Sequence, residues 1–360
     1  MASSVSSQHD EVLVEEKSFA RILTLNRPKQ LNALSSQMGK GRAFCAGGDV
    51  ADLVHAIRAG GWKSRLNNFL KGYTSNYLMA TYSKPQVSIL NGIVMGGGNG
   101  ASMHGRFRVA TENTLFAMPE TAVGLFPDVG ASYFLSRLPG FFGEYLGLTG
   151  ARLDGAEMLA CGLATHFVPS AKLPMLEAAL CEIDSSDPGF ISSIICQYSE
   201  QPSLKPQSVY NRLDVIDRCF SQKTVEEILS ALEREVVDRR DDWISATIRI
   251  LKKASPTSLK ISLRSIRVGR FQGVGPCLVR EYRMVSHVMR GEFSKDLLEG
   301  CRAILLDKDK NPKWEPSKLE LVTDTVVDRY FSKVKDEDWE DLKLPVRSKF
   351  NLPPYVIAKL

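Results

Sequence analysis

Two carboxylates near the middle of the chain have the surroundings of catalytic acids or bases. Glu120 stands among Met118, Pro119 and Leu125, and Asp128 follows in the segment Phe-Pro-Asp-Val-Gly. An acid in an apolar setting is costly unless it has a partner or a function. A carboxylate beside a polarised carbonyl group can attack the carbon directly or activate a water molecule as a general base. Both residues are therefore candidates for such chemistry.

Each acid also has a purely structural interpretation. Glu120 directly follows Pro119, where a helix N-terminus would favour a negative charge. Asp128 precedes a helical segment that begins near Gly130, so its side chain could be the N-cap of that helix. For Asp128 the two roles are compatible.

Two glycine clusters each follow an apolar, strand-like run. Residues 46–49 read Ala-Gly-Gly-Asp, and residues 95–100 read Met-Gly-Gly-Gly-Asn-Gly. Glycine permits backbone conformations that other residues avoid, and it lets amide N–H groups approach a ligand closely. Two such loops facing one another could bind a carbonyl oxygen as it becomes an oxyanion.

Nucleotide binding is the competing interpretation of these loops. Gly96, Gly98 and Ala101 fit a loose dinucleotide fingerprint, but that fingerprint needs an acid at the end of a second strand about 20 residues later. Glu120 lies in Met-Pro-Glu, which does not end a strand. No Gly-Lys-Ser/Thr follows either cluster, which excludes a Walker A loop.

Apolar periodicity predicts the elements that position these residues. Strand-like runs at 19–25, 86–95 and 107–111 alternate with helical stretches at 51–60 and 130–138. Strands that alternate with helices indicate an α/β architecture with parallel pairing.

The second half of the chain is predicted to be mostly helical. Thr224 and Glu227 have the spacing of a capping box, and Ser255-Pro256 supplies a cap followed by a proline at the first helical position. A third helix is predicted over residues 278–290.

Composition narrows the classes of function. The 360 residues are 44% hydrophobic with a net charge of +5, and no Lys/Arg cluster indicates a nucleic-acid surface. The seven cysteines are scattered without a Cys-x-x-Cys pair, so neither a disulfide framework nor a zinc site is expected. No apolar run approaches the roughly 20 residues needed to span a bilayer. We expect no nucleic acid, membrane or metal as a partner.

Four motifs in this order resemble the crotonase (enoyl-CoA hydratase/isomerase) superfamily. They are NRPKQLNAL (26–34), AFCAGGD (43–49), NGIVMGGG (91–98) and FAMPE (116–120). Within the superfamily, residues 119–140 and 300–314 resemble the 3-hydroxyisobutyryl-CoA hydrolases of the plant peroxisomal type. The resemblance covers roughly residues 10–345. It implies an α/β fold, a crotonase-type spiral of ββα units followed by a mainly helical C-terminal region.

The resemblance also implies a coenzyme A thioester substrate, without any further cofactor, and assigns roles at the site. The backbone amides of Gly48 and Gly97 would form the oxyanion hole. Glu120 would act as the nucleophile or general base. Asp128 would bind the 3-hydroxyl group of the substrate and assist proton transfer.

Coenzyme A itself is expected near the first glycine cluster. By the resemblance, the backbone of Asp49, Val50 and Ala51 borders the adenine. Arg27 or Lys29 would meet a CoA phosphate, although an exposed basic residue beside a proline turn is an equal interpretation.

The implied activity is hydrolysis of a short 3-hydroxyacyl-CoA thioester, most closely 3-hydroxyisobutyryl-CoA in valine catabolism. Hydratases of the superfamily hold a water molecule between two glutamates, and the position of the second glutamate is Gly100 here. Hydration is therefore poorly served. An enoyl-CoA hydratase or isomerase remains an alternative, as does an impaired truncated isoform that only binds CoA or protein partners.

Two features depart from the pattern of the superfamily, and two histidines lie outside its catalytic motifs. Only residues 35–42 separate two motifs between which a crossover of a dozen or more residues is expected, which predicts an internal deletion after Met38. Gly72 stands where the hydrolases carry a substrate-contacting acid. His104 and His166 lie in segments that are typical of packing rather than catalysis.

The predicted organisation has four parts. They are a disordered N-terminus (1–10), a CoA-thioester-binding core that is incomplete near 35–42 (11–180), a mainly helical region (181–342) and an extended tail (343–360). The tail ends in Ala358, Lys359 and Leu360, a variant of the Ser-Lys-Leu peroxisomal address. A peroxisomal import receptor is thus an expected partner and the peroxisome the expected location, ahead of mitochondrion or cytosol. The resemblance also allows a homo-oligomer.

Overall fold

The computed structural model describes residues 12–18, 20–26, 32, 43–48, 50–238 and 241–347, with the backbone alone at 50–52, 237 and 238. The strands are β1 (Val12–Lys17), β2 (Ala20–Leu25), β3 (Ala43–Cys45), β4 (Val87–Leu90), β5 (Ile93–Met95), β6 (Phe107–Ala110), β7 (Leu115–Ala117), β8 (Leu153–Asp154) and β9 (His166–Phe167). The helices are α1 (Val50–Arg58), α2 (Trp62–Ala80), α3 (Gly97–Gly100), α4 (Ala131–Phe134), α5 (Phe142–Thr149), α6 (Gly155–Cys161), α7 (Leu173–Cys181), α8 (Pro188–Tyr198), α9 (Leu213–Phe220), α10 (Val225–Asp238), α11 (Asp242–Lys253), α12 (Pro256–Gly269), α13 (Val274–Arg290), α14 (Asp296–Cys301) and α15 (Asp324–Phe331).

The chain folds into two compact units that interleave along the sequence. The first contains Tyr82–Phe116, Leu153–Ser208 and the described residues before Val50. The second contains Val50–Thr81, Ala117–Arg152 and the described residues from Val209 onward. The four-part division drawn from the sequence stays a prediction.

All nine strands of the described residues lie in the first unit or end at its boundary. One sheet has the order β3-β5-β7-β8, a second has the order β4-β6-β9, and β1 pairs with β2 in an antiparallel hairpin. The predicted parallel pairing is confirmed for β3 with β5, β4 with β6 and β6 with β9, whereas β7 and β8 are antiparallel.

The apolar run at 86–95, read from the sequence as one strand, is two strands in different sheets. The chain turns between them at Gly92, whose φ of 124° lies in the region that favours glycine. The second sheet is covered by a small core in which Phe107 and Val109 of the sheet meet Leu176 of α7 and Ile195 of α8.

The second unit is helical. The capping residues predicted for two of its helices are confirmed, whereas the helix predicted over residues 278–290 begins earlier, at Val274. Glu227 N–H donates to Thr224 Oγ1 and Thr224 N–H donates to Glu227 Oε2, both at 3.1 Å, which completes the capping box before α10. Ser255 caps α12 by accepting from Ser258 N–H at 3.0 Å, with Pro256 in the first turn. Among the described helices, none combines the length and the apolar character needed to cross a membrane.

Candidate active site

Strands β3 and β5 bring the two glycine loops to one edge of the first sheet. The strands pair in parallel, with Ala43 opposite Ile93 and Cys45 opposite Val94. Since the carboxyl ends of adjacent parallel strands meet at the same edge, the loops that follow them are neighbours. The sheet therefore places Gly48 and Gly97 in adjoining loops.

The packing between these loops explains their glycines. A Cβ atom on Gly98 would lie only 2.2 Å from the carbonyl oxygen of Cys45, so no larger residue fits there without a shift of the backbone. Gly47 has a φ of 104°, and a Cβ atom on it would lie 3.2 Å from the carbonyl oxygen of Met95 and 3.5 Å from the amide nitrogen of Gly97. The loops are thus in direct contact.

The two candidate oxyanion donors differ in their surroundings. Gly97 is the first residue of α3, so its N–H group has no acceptor within that helix. The preceding Gly96 adopts φ 50° and ψ −127°, a conformation that favours glycine. Gly48 is exposed, and a Cβ atom on it would meet nothing within 4 Å. Their role as donors stays a prediction.

Glu120 begins a short 3-10 turn, Glu120–Val123, in the second unit. The turn is held by the N–H of Ser255, which donates to the Thr121 carbonyl at 3.1 Å, and by the Thr121 hydroxyl, which donates to the Leu148 carbonyl at 3.0 Å. It ends at Gly124, whose φ of 76° and close contact with the Asp296 carbonyl again require glycine. These contacts fix the backbone that carries Glu120.

The Glu120 side chain is only 6% exposed. Within the described part of the chain, its Oε2 atom has no hydrogen-bond partner. Burial, reinforced by the negative charge of Asp128, holds the pKa of Glu120 well above its usual value. A buried carboxylate oxygen without a partner is expensive, and such groups are concentrated at functional sites. Glu120 does lie in the first turn of a short helix, as its structural interpretation expects, and its side chain is buried there.

Asp128 interacts electrostatically with Glu120, and its side chain is hydrogen-bonded to a residue of α2. Tyr73 Oη donates to Asp128 Oδ2 at 2.7 Å, and both side chains are buried. Burial raises the pKa of Asp128 to about 6, although the Tyr73 hydrogen bond opposes that rise. The N-cap interpretation is not borne out, because Gly130 is the N-cap of α4 and no side chain caps that helix.

Some of the remaining predicted positions lie outside the described residues, and others have only their backbone described. Asp49, Arg27 and the Ala358–Leu360 tripeptide lie outside the described residues, as does the segment after Met38. Val50 and Ala51 form the first turn of α1, where the backbone alone is described. Their contacts with coenzyme A stay predictions.

Gly72 lies on the exposed side of α2, where a Cβ atom would meet nothing within 4 Å. His166 packs its ring against Phe107 at 5.9 Å between centroids and shares hydrogen bonds with Thr165 and Ser192. His104 is buried. The prediction that these histidines serve packing agrees with their surroundings.

Sequence reasoning missed two residues that support Asp128. They are Tyr73 and Glu281, the latter fully buried on α13. Tyr73 shares the buried face of α2 with Leu66, Asn76 and Ala80, so helical periodicity could have placed it inside. Nothing in the sequence around Glu281 pairs it with Asp128, because 153 positions separate them.

Comparison with known proteins places this geometry in a family. The family model of enoyl-CoA hydratase/isomerase matches residues 38–331. The chain is 67% identical over 383 aligned positions to 3-hydroxyisobutyryl-CoA hydrolase 1 of Arabidopsis thaliana, with 100% of each chain covered. It is 64% identical to probable 3-hydroxyisobutyryl-CoA hydrolase 3 of the same plant, covering 96% of this chain and 98% of the relative.

The fold is likewise shared with a solved structure. A carnitinyl-CoA dehydratase from Mycobacterium thermoresistibile superimposes with a TM-score of 0.81 at 32% identity, covering 93% of this chain and 99% of that one. The alignment with the first Arabidopsis relative is longer than the 360 residues of this chain, so that relative has residues without a counterpart here. The chain belongs to the enoyl-CoA hydratase/isomerase family and has its crotonase-type α/β fold, with a helical C-terminal region.

Proposed function

We propose that this chain hydrolyses the thioester bond of a short 3-hydroxyacyl-CoA, with 3-hydroxyisobutyryl-CoA as the substrate and 3-hydroxyisobutyrate and CoA as the products. The observation that carries the proposal is the buried Glu120 carboxylate, whose Oε2 has no partner among the described residues. The choice of substrate is supported by a relative named 3-hydroxyisobutyryl-CoA hydrolase 1, to which this chain is 67% identical over the full length of both chains.

The proposed chemistry needs a carboxylate and donors for an oxyanion. In one route a Glu120 oxygen attacks the thioester carbon, the C–S bond breaks, CoA leaves as a thiolate that takes up a proton, and water hydrolyses the mixed anhydride. In the other route Glu120 takes a proton from the attacking water. In both, the oxygen of the thioester becomes negative, and the family resemblance assigns its stabilisation to the amides of Gly48 and Gly97.

Asp128 has the properties of a helper in either route. Its pKa of about 6 means that it is largely ionised at neutral pH, so it can accept a hydrogen bond from the 3-hydroxyl group of the substrate. Its negative charge also keeps the pKa of Glu120 raised. A raised pKa brings a carboxylate closer to the operating pH, which favours proton transfer.

Hydration of a double bond is the second candidate, since a solved structure with the same fold is named a dehydratase. That reaction is served in the superfamily by two glutamates, and Gly100 occupies the second position as a buried residue of α3. The absence of a carboxylate there favours hydrolysis over hydration.

The cellular setting is a further proposal. Relatives named as 3-hydroxyisobutyryl-CoA hydrolases support a place in valine catabolism. The Ala358-Lys359-Leu360 ending supports the peroxisome and its import receptor, with mitochondrion and cytosol as the next candidates. A homo-oligomer is in keeping with the family resemblance.

Thiol release distinguishes the two reactions. The full chain is incubated with 3-hydroxyisobutyryl-CoA or with crotonyl-CoA, and free CoA thiol is measured alongside the loss of the enoyl absorbance. We expect thiol from the hydroxyacyl thioester only, and no change in the enoyl absorbance. Hydration of crotonyl-CoA without any thiol release would replace the hydrolase proposal by the hydratase one.

A further inference from the structure

Asp128 is held from one side by a tyrosine that the proposed reaction does not itself use. Tyr73 Oη donates to Asp128 Oδ2 at 2.7 Å, and the two residues are 1% and 5% exposed. The phenol stays protonated, because burial first, and then the charges of Asp128 and Glu281, hold the pKa of Tyr73 well above its usual value. A protonated hydroxyl is a constant hydrogen-bond donor to the carboxylate.

The backbone that follows Asp128 is held from α13. Glu281 Oε2 accepts from the N–H of Gly130 at 2.6 Å, and Oε1 accepts from the N–H of Ser132 at 3.0 Å. Arg280 supports the same place, since its Nη2 donates to Ser132 Oγ at 2.7 Å. A buried carboxylate that accepts several N–H and O–H groups is a strong, directional anchor.

The anchored segment is a strained turn. Val129 has a φ of 56° and Gly130 a φ of 83°, so two successive residues after Asp128 are left-handed. A β-branched residue in this region is a real outlier, and such outliers concentrate at functional sites. The contacts of Glu281 keep the chain in this conformation, which directs Asp128 back toward α2.

We propose that Tyr73 is a positioning residue, whose hydroxyl fixes the Asp128 carboxylate in one orientation and in its ionised form, while Glu281 holds the turn that carries it. The inference rests on the proposed function, because it assigns Asp128 to the substrate. Glu120 of the 3-10 turn and Glu281 of α13 interact electrostatically with Asp128 and with Tyr73, respectively. The ring of Tyr282 on α13 packs edge-on against Tyr73, and Arg280 of the same helix contacts Ser132 beside Glu281.

The sign of the effect follows from the hydrogen bond. Tyr73 stabilises the ionised form of Asp128, so removal of its hydroxyl raises the pKa of Asp128 above its present value of about 6. Asp128 and Glu120 interact, so the acidic limb of the rate profile belongs to the pair. Loss of the hydroxyl therefore moves that limb to higher pH. A role of Tyr73 in packing alone would not move it.

The test compares Tyr73→Phe with the parent and with Tyr77→Phe. Tyr77 lies one turn further along α2 and has no contact with Asp128 that the structure records, so its replacement removes an equivalent hydroxyl elsewhere. For each protein, kcat and KM for thiol release from 3-hydroxyisobutyryl-CoA are measured from pH 5 to 9. Carboxyl ionisation is followed in the same proteins without substrate, by infrared difference spectra against Asp128→Asn.

In Tyr73→Phe we expect the acidic limb to move up by about one pH unit, so that kcat at pH 6 falls about five- to tenfold while the loss nearly disappears at pH 9. The pH midpoint at which the Asp128 carboxyl band titrates should also move to higher pH. Tyr77→Phe should match the parent in both measurements. An unchanged limb together with an unchanged Asp128 titration overturns the proposal, whatever the change in kcat.

The two readouts separate this inference from the proposed function. If the parent releases no thiol, the hydrolase proposal fails and the infrared titration alone decides the role of Tyr73: an upward shift supports it, and no shift overturns it. If Tyr73→Phe does not fold, 3-fluorotyrosine at position 73 replaces it as the test. Its more acidic phenol is a stronger donor, so the limb and the Asp128 titration should move to lower pH, and no movement overturns the proposal.

Discussion

At the scale of single residues, the site depends on two acids that are kept out of water. Glu120 has its pKa raised by burial and then by the charge of Asp128, and Asp128 has its pKa raised by burial to about 6. Two carboxylates in such surroundings cannot ionise independently, because the charge on one opposes the charge on the other. The proposed reaction uses that coupling to keep Glu120 basic enough to attack or to accept a proton.

Replacement of Asp128 by Asn tests this coupling. The change removes the charge that raises the pKa of Glu120, so the acidic limb of kcat should move to lower pH, opposite in sign to Tyr73→Phe. The maximal rate should fall about 10²-fold, as is usual when a group that assists proton transfer is lost. Steady-state thiol release from pH 5 to 9 measures both. A limb that stays in place would show that Asp128 does not influence Glu120.

At the scale of elements, parallel strands position the two glycine loops, and helices hold the turns that carry Glu120 and Asp128. Pairing of β3 with β5 brings the loop at 46–48 against the loop at 95–98, and the Cys45 carbonyl leaves no room for a side chain at Gly98. In the second unit, α12 and α14 hold the turn of Glu120, while α2 and α13 hold that of Asp128. The helical C-terminal part thus has a positioning role for both acids.

A pair of glycine substitutions separates loop packing from helix propensity. Gly98→Ala places a Cβ atom 2.2 Å from the Cys45 carbonyl, so we expect a loss of about 2 kcal/mol or more in unfolding free energy. Gly72→Ala serves as the matched control, since its Cβ atom meets nothing and alanine favours a helix by about 0.5–1 kcal/mol. Chemical denaturation should show opposite signs. Equal stability of the two variants would contradict the close contact of the loops.

The sequence predicted the local elements better than their pairing. Capping residues such as Thr224 and Ser255 mark their helices through contacts within a few positions, and both predictions are confirmed. The prediction of one strand over residues 86–95 was wrong, because the hydrophobic pattern is the same for one strand as for two. The chain turns at Gly92 and so forms two strands in different sheets. Glu120 and Asp128 were found through motifs. Tyr73 and Glu281 were not, because their importance arises from contacts 55 and 151 positions away along the chain.

At the scale of the whole molecule, the buried acids make folding dependent on pH. Asp128 and Glu281 have folded-state pKa values of about 6 and about 7, above their values of 3.8 and 4.5 in water. The folded chain therefore binds more protons than the unfolded chain between these limits. Their contribution to stability is complete below about pH 4 and is lost as the pH rises through the folded pKa values.

Thermal melting of the parent and of Asp128→Asn between pH 5 and 8 tests this linkage. Burial lowers the pKa of His166 and His287, which gives the opposite trend in the same range, so the difference between the two proteins is the informative quantity. We expect Asp128→Asn to melt progressively higher than the parent as the pH rises, because it no longer buries this charge. A difference that is constant over the range would contradict a raised pKa for Asp128.

Thiol release from 3-hydroxyisobutyryl-CoA by the parent chain and by Glu120→Gln tests most directly whether Glu120 is the reacting carboxylate. Glutamine keeps the size of the side chain but can neither attack the thioester nor accept a proton from water. We expect measurable turnover by the parent and a loss of about 10³-fold or more in kcat for the variant, which should melt no lower than the parent. Full activity in Glu120→Gln would contradict the assignment of Glu120 as the reacting carboxylate.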